Sequence, residues 1–319
     1  MGSKPVAASR LLVVASALAC TVACGGSVAP AATPAGRPAP ALVQVENSPD
    51  ARPHAGLQKA DYVYEYLTEG GITRFTAVYL QPGGDARIGP VRSARLVSLE
   101  LLKAYGGVLF YSGASEYVLG KLRESGMPAL DENSNGGRNF ARDPARAAPH
   151  NLFTTMDKLR AGVASSGARV EYPLPAHAEP ARGQPASRVT FSQTPSHPVS
   201  YAYSAQDRGY HYSSETGAEV DTSNGNQPLV VTNVVVARVA HHDAGYTEDV
   251  LGAQGIDFDL AGSGAADVFT RGTHLAAKWG LSRPDRPLRL LDAGGKELAL
   301  PAGLTWIHLL DPEQQLDFS

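Results

Sequence analysis

The stretch ITRFTAVYL, residues 72–80, alternates polar and apolar side chains along most of its length. A period of two is typical of a strand with one face on a core and one face towards solvent. The same pattern occurs in ALVQVEN, residues 41–47. In contrast, GVLFYSG, residues 107–113, is a short apolar run between glycines and is typical of a fully buried strand. These segments predict a sheet in the first half of the chain.

Apolar residues at helical spacing occupy the stretches between and after these strands. ARLVSLELLKAY (94–105) and SEYVLGKLRES (115–125) predict two helices. A third is expected in NLFTTMDKLRAGVASSG (151–167), after an N-cap at Thr154 or Thr155. Strands that alternate with helices indicate a sheet covered by helices, so we predict an α/β domain over residues 42–170.

The character of the sequence changes after residue 170. Residues 171–188 are rich in proline and predict a linker, and residues 189–319 consist of short alternating segments between Gly, Asp and Asn turns. DAGGKELAL is the best hairpin candidate, with its turn at Gly294 and Gly295. The predicted fold class is therefore an α/β N-terminal domain followed by a mostly antiparallel β C-terminal domain.

The N-terminus has the order of features of a secretory signal. Lys4 and Arg10 precede an apolar run over residues 11–19, and the small-residue segment TVACGGS follows. The apolar run is too short for a membrane span. We expect residues 1–24 to be a lipoprotein signal peptide, and an ordinary secreted protein cleaved nearby is the alternative.

Cys24 is the expected lipidation site, with Cys20 as the weaker choice. Residues 25–41 are rich in Pro and Ala and predict a tether between the membrane and the folded body. The expected location is the extracytoplasmic face of the cell membrane, with a lipid anchor. The only two cysteines of the chain lie in the signal segment, so the mature body offers no disulfide and no thiolate metal site or nucleophile.

The overall composition excludes several other classes of protein. A formal net charge of −3 and a pI near 6.3 argue against nucleic-acid binding. The sequence contains no phosphate-binding loop, nucleophile elbow or dinucleotide fingerprint, and it implies no cofactor.

Several long motifs make the chain recognisable, and they begin with VENSPDARPHAGLQKADYVYEYLTEGGITRFTAVY (45–79), IGPVRSAR (88–95) and ARDPARAAPHN (141–151). The residues that carry the resemblance are Asn47, Arg52, Pro53, Gly56, Leu57, Ala60, Asp61, Glu65, Glu69, Gly70, Thr73, Arg74, Phe75, Gly89, Pro90, Arg92, Ser93, Arg95, Pro149, His150 and Asn151, with weaker matches at Asn233, Trp279, Gly303, Thr305 and Trp306. On these residues the mature chain resembles the YerB-like family of bacterial lipoproteins. The resemblance implies an envelope lipoprotein with an α/β and a β-rich domain, and it brings no biochemical activity.

Arginines are concentrated in the first of the candidate ligand-binding segments. Arg74 follows two glycines at the start of a strand, and Arg92 and Arg95 flank the start of a predicted helix, for which Ser93 is a plausible N-cap. Free N–H groups at a helix N-terminus beside two arginines favour an anion. We therefore predict that these four residues contribute to an anion-binding site.

A later segment can close the same cleft, through Arg142, Arg146, His150 and Asn151. Together with the first group these residues suit a diphosphate or a carboxylate-rich glycan. The alternative is structural, because acidic residues are about as plentiful as arginines in these motifs. The acids available for internal pairing are Asp61, Glu65, Glu69 and Asp143.

A second and more local pattern resembles the LytR-CpsA-Psr phosphotransferases, which bind polyprenyl pyrophosphate through arginines and a metal held by aspartates. By that resemblance Asp61 is a possible metal ligand and Arg92 a pyrophosphate ligand. The chain departs from the pattern at Ser93 and Ala94, where that family has an acid after the arginine. This departure argues against a metal site, so the arginines are expected to bind rather than to catalyse.

Three further groups in the β-rich region have a functional and a structural interpretation. The first is the set of alternating tyrosines, which suits sugar or peptide contact or simply core packing: Tyr201, Tyr203, Tyr210 and Tyr212. HHD, residues 241–243, resembles metal ligands in composition only, and a polar loop is the expected interpretation. Trp279 and Trp306 are expected to anchor the core.

These observations lead to one hypothesis and two alternatives. The chain is expected to be a membrane-tethered lipoprotein of a Gram-positive-type envelope that binds an anionic cell-wall ligand or a partner protein through an arginine-lined cleft. The first alternative is an enzyme that acts on glycans linked to polyprenyl pyrophosphate. The second is a non-catalytic scaffold in which the arginines form internal ion pairs.

Overall fold

The structure of the chain is a computed structural model that describes residues 1–2, 36–179, 183–281 and 287–319. The two cysteines, nearly all of the predicted signal peptide and the tether up to residue 35 lie outside the described residues. Gly36–Ser319 form one compact unit with its own hydrophobic core, which is the property expected of a unit that folds by itself. None of the described helices is long and apolar enough to cross a membrane.

The N-terminal region mixes strands with three helices, as predicted. Its strands are β1 (Arg37–Pro38), β2 (Ala41–Glu46), β3 (Tyr62–Leu67), β4 (Thr73–Tyr79), β5 (Arg87–Ile88), β6 (Val108–Tyr111), β7 (Ala129–Asp131), β8 (Ala141–Arg142), β9 (Leu152–Thr155) and β10 (Arg169–Val170). Its helices are α1 (Leu96–Tyr105), α2 (Glu116–Ser125) and α3 (Met156–Ser166), with 3₁₀ turns at Pro49–Ala51, Leu57–Lys59, Glu69–Gly71 and Gly137–Asn139. Thr155 caps α3 by accepting a hydrogen bond from the Lys158 amide, which confirms one of the two predicted caps.

The described part of the C-terminal region is built from strands that are mostly antiparallel, which confirms the predicted fold class. They are β11 (Gln184–Pro185), β12 (Arg188–Thr194), β13 (His197–Ser204), β14 (Gly209–Ser214), β15 (Gly217–Ala218), β16 (Val220–Asp221), β17 (Gln227–Pro228), β18 (Val230–Val231), β19 (Asn233–Arg238), β20 (His241–Thr247), β21 (Gln254–Phe258), β22 (Gly262–Thr270), β23 (Thr273–Leu281), β24 (Arg289–Leu291), β25 (Thr305–Leu310) and β26 (Leu316–Phe318), with a 3₁₀ turn at Thr222–Asn224. The turn predicted at Gly294 and Gly295 is present, since the Gly295 amide donates to Asp292 O at 2.9 Å.

One large sheet runs through both regions. Its strand order is β11-β23-β22-β19-β25-β3-β4-β2-β6-β7, and β24 pairs with β23. The C-terminal strand β25 lies parallel between β19 and β3, so it connects the strands of the two regions. A second sheet, β15-β14-β13-β12-β26, packs with α3 against one face of the large sheet, and α1 and α2 cover the other.

This layering corrects the expectation that residues 41–47 and 72–80 form half-buried strands. Every residue of β2 and β4 is buried, including the polar ones. Beneath α1 the polar side chains satisfy one another, because Gln44 accepts from Tyr66 Oη at 2.8 Å and from Ser98 Oγ at 2.9 Å. The alternation of polar and apolar residues in β2 and β4 therefore reflects two buried faces of the sheet. One face is apolar, and the polar side chains of the other face are hydrogen-bonded to one another.

Candidate functional site

The arginine-rich segment 87–95 is fixed by main-chain hydrogen bonds to several other segments. Gly89 exchanges two hydrogen bonds with Ala55, and the Val91 amide donates to Leu152 O at 2.7 Å. Gly89 has φ +144°, and a Cβ there would lie 2.9 Å from Leu152 O, so only glycine fits without strain. Segment 87–95 is thus held directly beside the 52–56 loop and the start of β9.

Glu46, at the end of β2, joins two of the predicted ligand-binding residues. Its Oε1 lies 3.1 Å from Arg92 Nε, and its Oε2 lies 2.9 Å from His150 Nδ1. Burial raises the pKa of Glu46, but Arg92 and His150 outweigh that effect and hold the pKa below its ordinary value. Segment 87–95 and the APHN segment therefore meet at the carboxylate of Glu46.

Arg95 forms internal ion pairs, as the structural alternative for the arginines predicts. Its guanidinium binds both carboxylate oxygens of Glu69, and its Nη1 lies 3.2 Å from Glu248 Oε1. Arg95 is also the N-cap residue of α1, and its amide donates to Ser98 Oγ at 2.9 Å. The expectation that Ser93 caps this helix was wrong, because the chain turns into helical conformation only after Arg95.

Arg74 is the most deeply buried arginine of the predicted set, with 3% of its surface exposed. Its Nη1 donates to Ser93 O at 3.0 Å, its buried Nε has no hydrogen-bond partner, and no carboxylate oxygen of a described residue lies within 4.0 Å. Burial and the neighbouring charge of Arg95 lower the pKa of Arg74 to about 10. Arg74 thus contributes an unpaired positive charge beneath segment 87–95.

A surface cleft of about 660 Å³ lies beside this segment. Arg87 and Arg146 place their guanidinium carbons 4.0 and 5.5 Å from the centre of the Phe153 ring, and His150 also lines the cleft. We call Arg87, Arg146, His150 and Phe153 the arginine cleft. The Phe153 ring attracts both guanidiniums, and the fork of a guanidinium matches a phosphate or carboxylate group.

A third arginine, Arg52, also lines the cleft and is paired with Glu215 and Glu219, whereas Arg87 and Arg146 have other partners. Arg87 forms an ion pair of 2.8 Å with Asp143, which also lines the cleft. Arg146 donates to Ala51 O at 2.6 Å and to Pro53 O at 3.1 Å. Among the described residues no carboxylate lies within ion-pair distance of Arg146, and Asp143 and Glu46 act on its charge only from farther away.

Two other predicted ligand-binding residues lie next to the cleft but do not line it. Arg142 donates to Asn151 Oδ1 at 2.9 Å and to both carboxylate oxygens of Glu132. The structure therefore unites Arg146 and His150 in the cleft and connects Arg92 to it through Glu46. Arg52, Arg87 and Phe153 line the cleft but were not among the predicted site residues, although Arg87 begins the same arginine-rich motif.

Asp61 lies at the opposite end of the strands from Arg92. It precedes β3, accepts a hydrogen bond from the Leu80 amide at 2.7 Å, and lines a different cavity from His150. Burial raises the pKa of Asp61. The structure thus does not bring the suggested metal ligand to the suggested pyrophosphate ligand, and the described residues contain no cluster of three or more metal-binding side chains.

The aromatic residues of the β-rich region lie in the core. The buried ones are Tyr201, Tyr210, Tyr212, Trp279 and Trp306, and Tyr203 packs partly buried against them. This arrangement favours the core interpretation of the tyrosines over a sugar-binding face. HHD begins β20, where His241 and His242 face Asp311 and Asp259 at 3.5 and 3.7 Å.

A fully buried carboxylate, Glu65, connects the two regions of the chain. It accepts from Thr73 Oγ1 and Trp306 Nε1, both at 2.9 Å, and lies 2.7 Å from His197 Nε2. Burial alone raises its pKa, but His308, His197 and the indole N–H outweigh burial and lower the pKa to about 2. Sequence reasoning placed Glu65 only among possible arginine partners, and its partners come from strands far away in the sequence.

Comparison with known proteins shows to which family the chain belongs. Residues 26–169 match the N-terminal domain, and residues 187–307 the C-terminal domain, of the protein of unknown function DUF3048. The chain belongs to the DUF3048 family. It is 29% identical over 278 residues to “Putative lipoprotein YerB” of Bacillus subtilis (strain 168), an alignment that covers 85% of this chain and 81% of that protein.

A solved structure shows that this DUF3048 protein shares its architecture with a relative. The crystal structure of the YerB protein from Bacillus subtilis matches with a TM-score of 0.73 and 26% sequence identity. The match covers 89% of this chain and 94% of that chain. The resemblance to the YerB-like family is therefore confirmed by both sequence and fold.

Proposed function

We propose that this DUF3048 protein is a lipid-anchored protein of the cell envelope that binds an anionic cell-wall ligand in the arginine cleft. The lipid anchor is supported by the name of the Bacillus subtilis relative and by Cys24 after an apolar signal segment. The observation that carries the binding proposal is that the guanidiniums of Arg87 and Arg146 both lie over the ring of Phe153 in an open cleft, and that Arg146 forms no ion pair with a described residue.

Two other arginines, Arg74 and Arg95, lie behind segment 87–95 and differ in charge compensation. Arg95 is neutralised by Glu69 and Glu248, whereas buried Arg74 retains its positive charge beneath the segment that carries Arg92. An anion in the cleft replaces water around Arg87 and Arg146 with charge-assisted hydrogen bonds, which are about twice as strong as neutral ones. Phosphate and carboxylate groups both have the planar or forked acceptor geometry that a guanidinium matches.

A ligand panel with one matched pair of variants tests the proposal. The melting temperature of residues 36–319 is measured with inorganic pyrophosphate, poly(glycerol phosphate) and a soluble muropeptide, and the affinity is measured by calorimetry. A ligand that binds only the native state raises the midpoint. Arg87→Ala is expected to weaken binding about 10- to 100-fold, because one charge-assisted hydrogen bond is lost and Asp143 is left unpaired in the cleft.

Arg160→Ala is the control. Like Arg87, Arg160 is an exposed arginine in a short ion pair with an aspartate, at 2.9 Å from Asp157, but it lies on α3 and does not line the cleft. It is expected to leave affinity unchanged. Pyrophosphate or poly(glycerol phosphate) binding identifies a phosphate ligand, and muropeptide binding a carboxylate ligand. Equal loss in both variants, or no binding of any anion by the native protein, contradicts the proposal.

A further inference from the structure

A second and larger cavity, of about 1480 Å³, lies at the other end of the large sheet from the arginine cleft. Asp61, Tyr62 and Leu80 line it at the start of β3 and the end of β4, whereas Arg74 lies at the start of β4. No described residue lines both this cavity and the arginine cleft. The two sites are therefore distinct.

Part of the cavity wall is formed by leucine side chains. Leu288, Leu290, Leu298 and Leu300 line it and are all only half buried, and Leu174 is 42% exposed. Large patches of exposed apolar surface on a folded protein mark a ligand-binding or interaction site. Pockets for drug-sized ligands have about 300–1,000 Å³, so this cavity accommodates a longer molecule.

The cavity also lies where the folded body begins. β1 pairs with β10 through Arg37 and Val170, and the Arg37 guanidinium lies 4.7 Å from the ring centre of Tyr172. Val170 and Tyr172 are both cavity residues. The chain therefore enters the fold at the cavity rim, and from Cys24 to Gly36 it spans at most about 40 Å at about 3.5 Å a residue.

A hydrocarbon chain suits this cavity better than a peptide segment. A peptide needs partners for its own N–H and C=O groups, whereas the main chain of Leu300 in the wall is already paired, because Leu300 O accepts from the Ala178 amide at 3.2 Å. Charged side chains of both signs also line the cavity and favour no single headgroup charge: Lys59, Asp61, Lys103, Arg169, Glu171, Arg289 and Glu297. Methylene groups, in contrast, lose nothing on leaving water.

We propose that this cavity binds a single long hydrocarbon chain of a membrane lipid. The lipid anchor of the proposed function brings the cavity rim within reach of the bilayer, and the polar end of the lipid stays at the rim. The cavity itself does not depend on the anchor or on the arginine cleft, so it can be tested on residues 36–319 alone.

The experiment is a chain-length series of neutral ligands. The straight-chain alcohols from 1-octanol to 1-tetradecanol, kept below their solubility limits, displace the fluorescent probe 1-N-phenylnaphthylamine from residues 36–319. Affinity is expected to increase about fourfold for each added methylene, or about 250-fold from 1-octanol to 1-dodecanol. Displacement that does not depend on chain length, or no probe binding, overturns the proposal.

Two variants with the same substitution locate the site. Leu298→Trp fills the cavity and is expected to weaken 1-dodecanol binding at least tenfold, whereas Leu251→Trp places the same ring on a side chain that is 90% exposed and leaves binding unchanged. Equal effects of the two overturn the assignment. Because residues 36–319 contain no cysteine, Leu298→Cys labelled with an environment-sensitive dye gives a second measurement if Leu298→Trp does not fold. A dye spectrum that does not respond to 1-dodecanol also overturns the proposal.

A longer chain distinguishes a membrane lipid from the protein's own tether. Residues 25–319, which contain no cysteine, are compared with residues 36–319 in the same 1-dodecanol titration. Equal affinities support an external lipid. A tenfold weaker affinity in the longer chain shows that residues 25–35 occupy the cavity and overturns the assignment to a lipid.

Discussion

The buried carboxylate Glu65 offers the sharpest test of what connects the two regions of the chain. Its pKa falls from 4.5 to about 2 in the folded protein. This difference corresponds to about 3 kcal/mol, at about 1.4 kcal/mol for each tenfold change in proton affinity. Glu65→Gln keeps the shape of the side chain but removes its charge, and it is expected to lower the free energy of unfolding by about 3 kcal/mol.

The pH dependence of that loss has a defined sign. A lowered carboxylate pKa stabilises the fold above pH 4.5, and this contribution disappears as the pH falls towards 2. Burial lowers the pKa of His197, but Glu65 and Glu215 outweigh it and raise the pKa, so the His197 contribution is complete below pH 6.5 and declines as the pH rises through the folded pKa. The difference between native protein and Glu65→Gln is therefore greatest near pH 5.5.

Urea unfolding of residues 36–319 at several pH values between 4 and 8 measures this difference. Glu100→Gln is the control, since Glu100 is a half-exposed glutamate on α1 that pairs with Lys103 at 2.8 Å, and its loss is expected to cost less than about 0.5 kcal/mol. A Glu65→Gln loss below about 1 kcal/mol refutes the reasoning. So does a loss that grows as the pH falls below 4.5.

Three further substitutions test the arginine-rich segment and helix α2. Arg95→Met is expected to lower the free energy of unfolding by about 3–5 kcal/mol, because Glu69 and Glu248 stay buried without their partner; a loss below about 1 kcal/mol contradicts the ion-pair description. Gly89→Ala is expected to cost about 1–3 kcal/mol at φ +144°, measured by urea unfolding. Gly120→Ala, inside α2 with open space around the new methyl group, is expected instead to stabilise by about 1 kcal/mol, and destabilisation there contradicts the helix assignment.

Local chemistry explains which structural elements were predictable. The cap at Thr155, the apolar spacing of the three helices and the turn at Gly295 each depend on residues close together in the chain, and all are present. The cap of α1 was misassigned to Ser93, because Arg95 takes that place once Glu69 and Glu248 hold its side chain. A preference for serine at N-caps is small compared with a buried ion pair.

The residues of the candidate site could be predicted from the sequence only in part, because their partners come from distant segments of the chain. Arg146 and His150 were predicted and line the cleft, but the sequence could not distinguish them from Arg95, whose charge is neutralised internally. Which arginine has a carboxylate partner depends on the loops between strands that are distant in sequence. Phe153 in the cleft had no signal of its own, since an aromatic residue in a short strand is normally a core residue.

The sequence by itself determined the order of helices and strands, the change from α/β to β, and the family, because these depend on local periodicity and on long continuous motifs. Only the tertiary structure decided that β25 lies between β19 and β3, that Glu65 is buried between the regions, and that an apolar cavity opens beside residue 36. The physical reason is that strand pairing brings together residues as far apart as Glu65 and Trp306. Burial, and with it the effect of each charge, is a property of that pairing rather than of any segment alone.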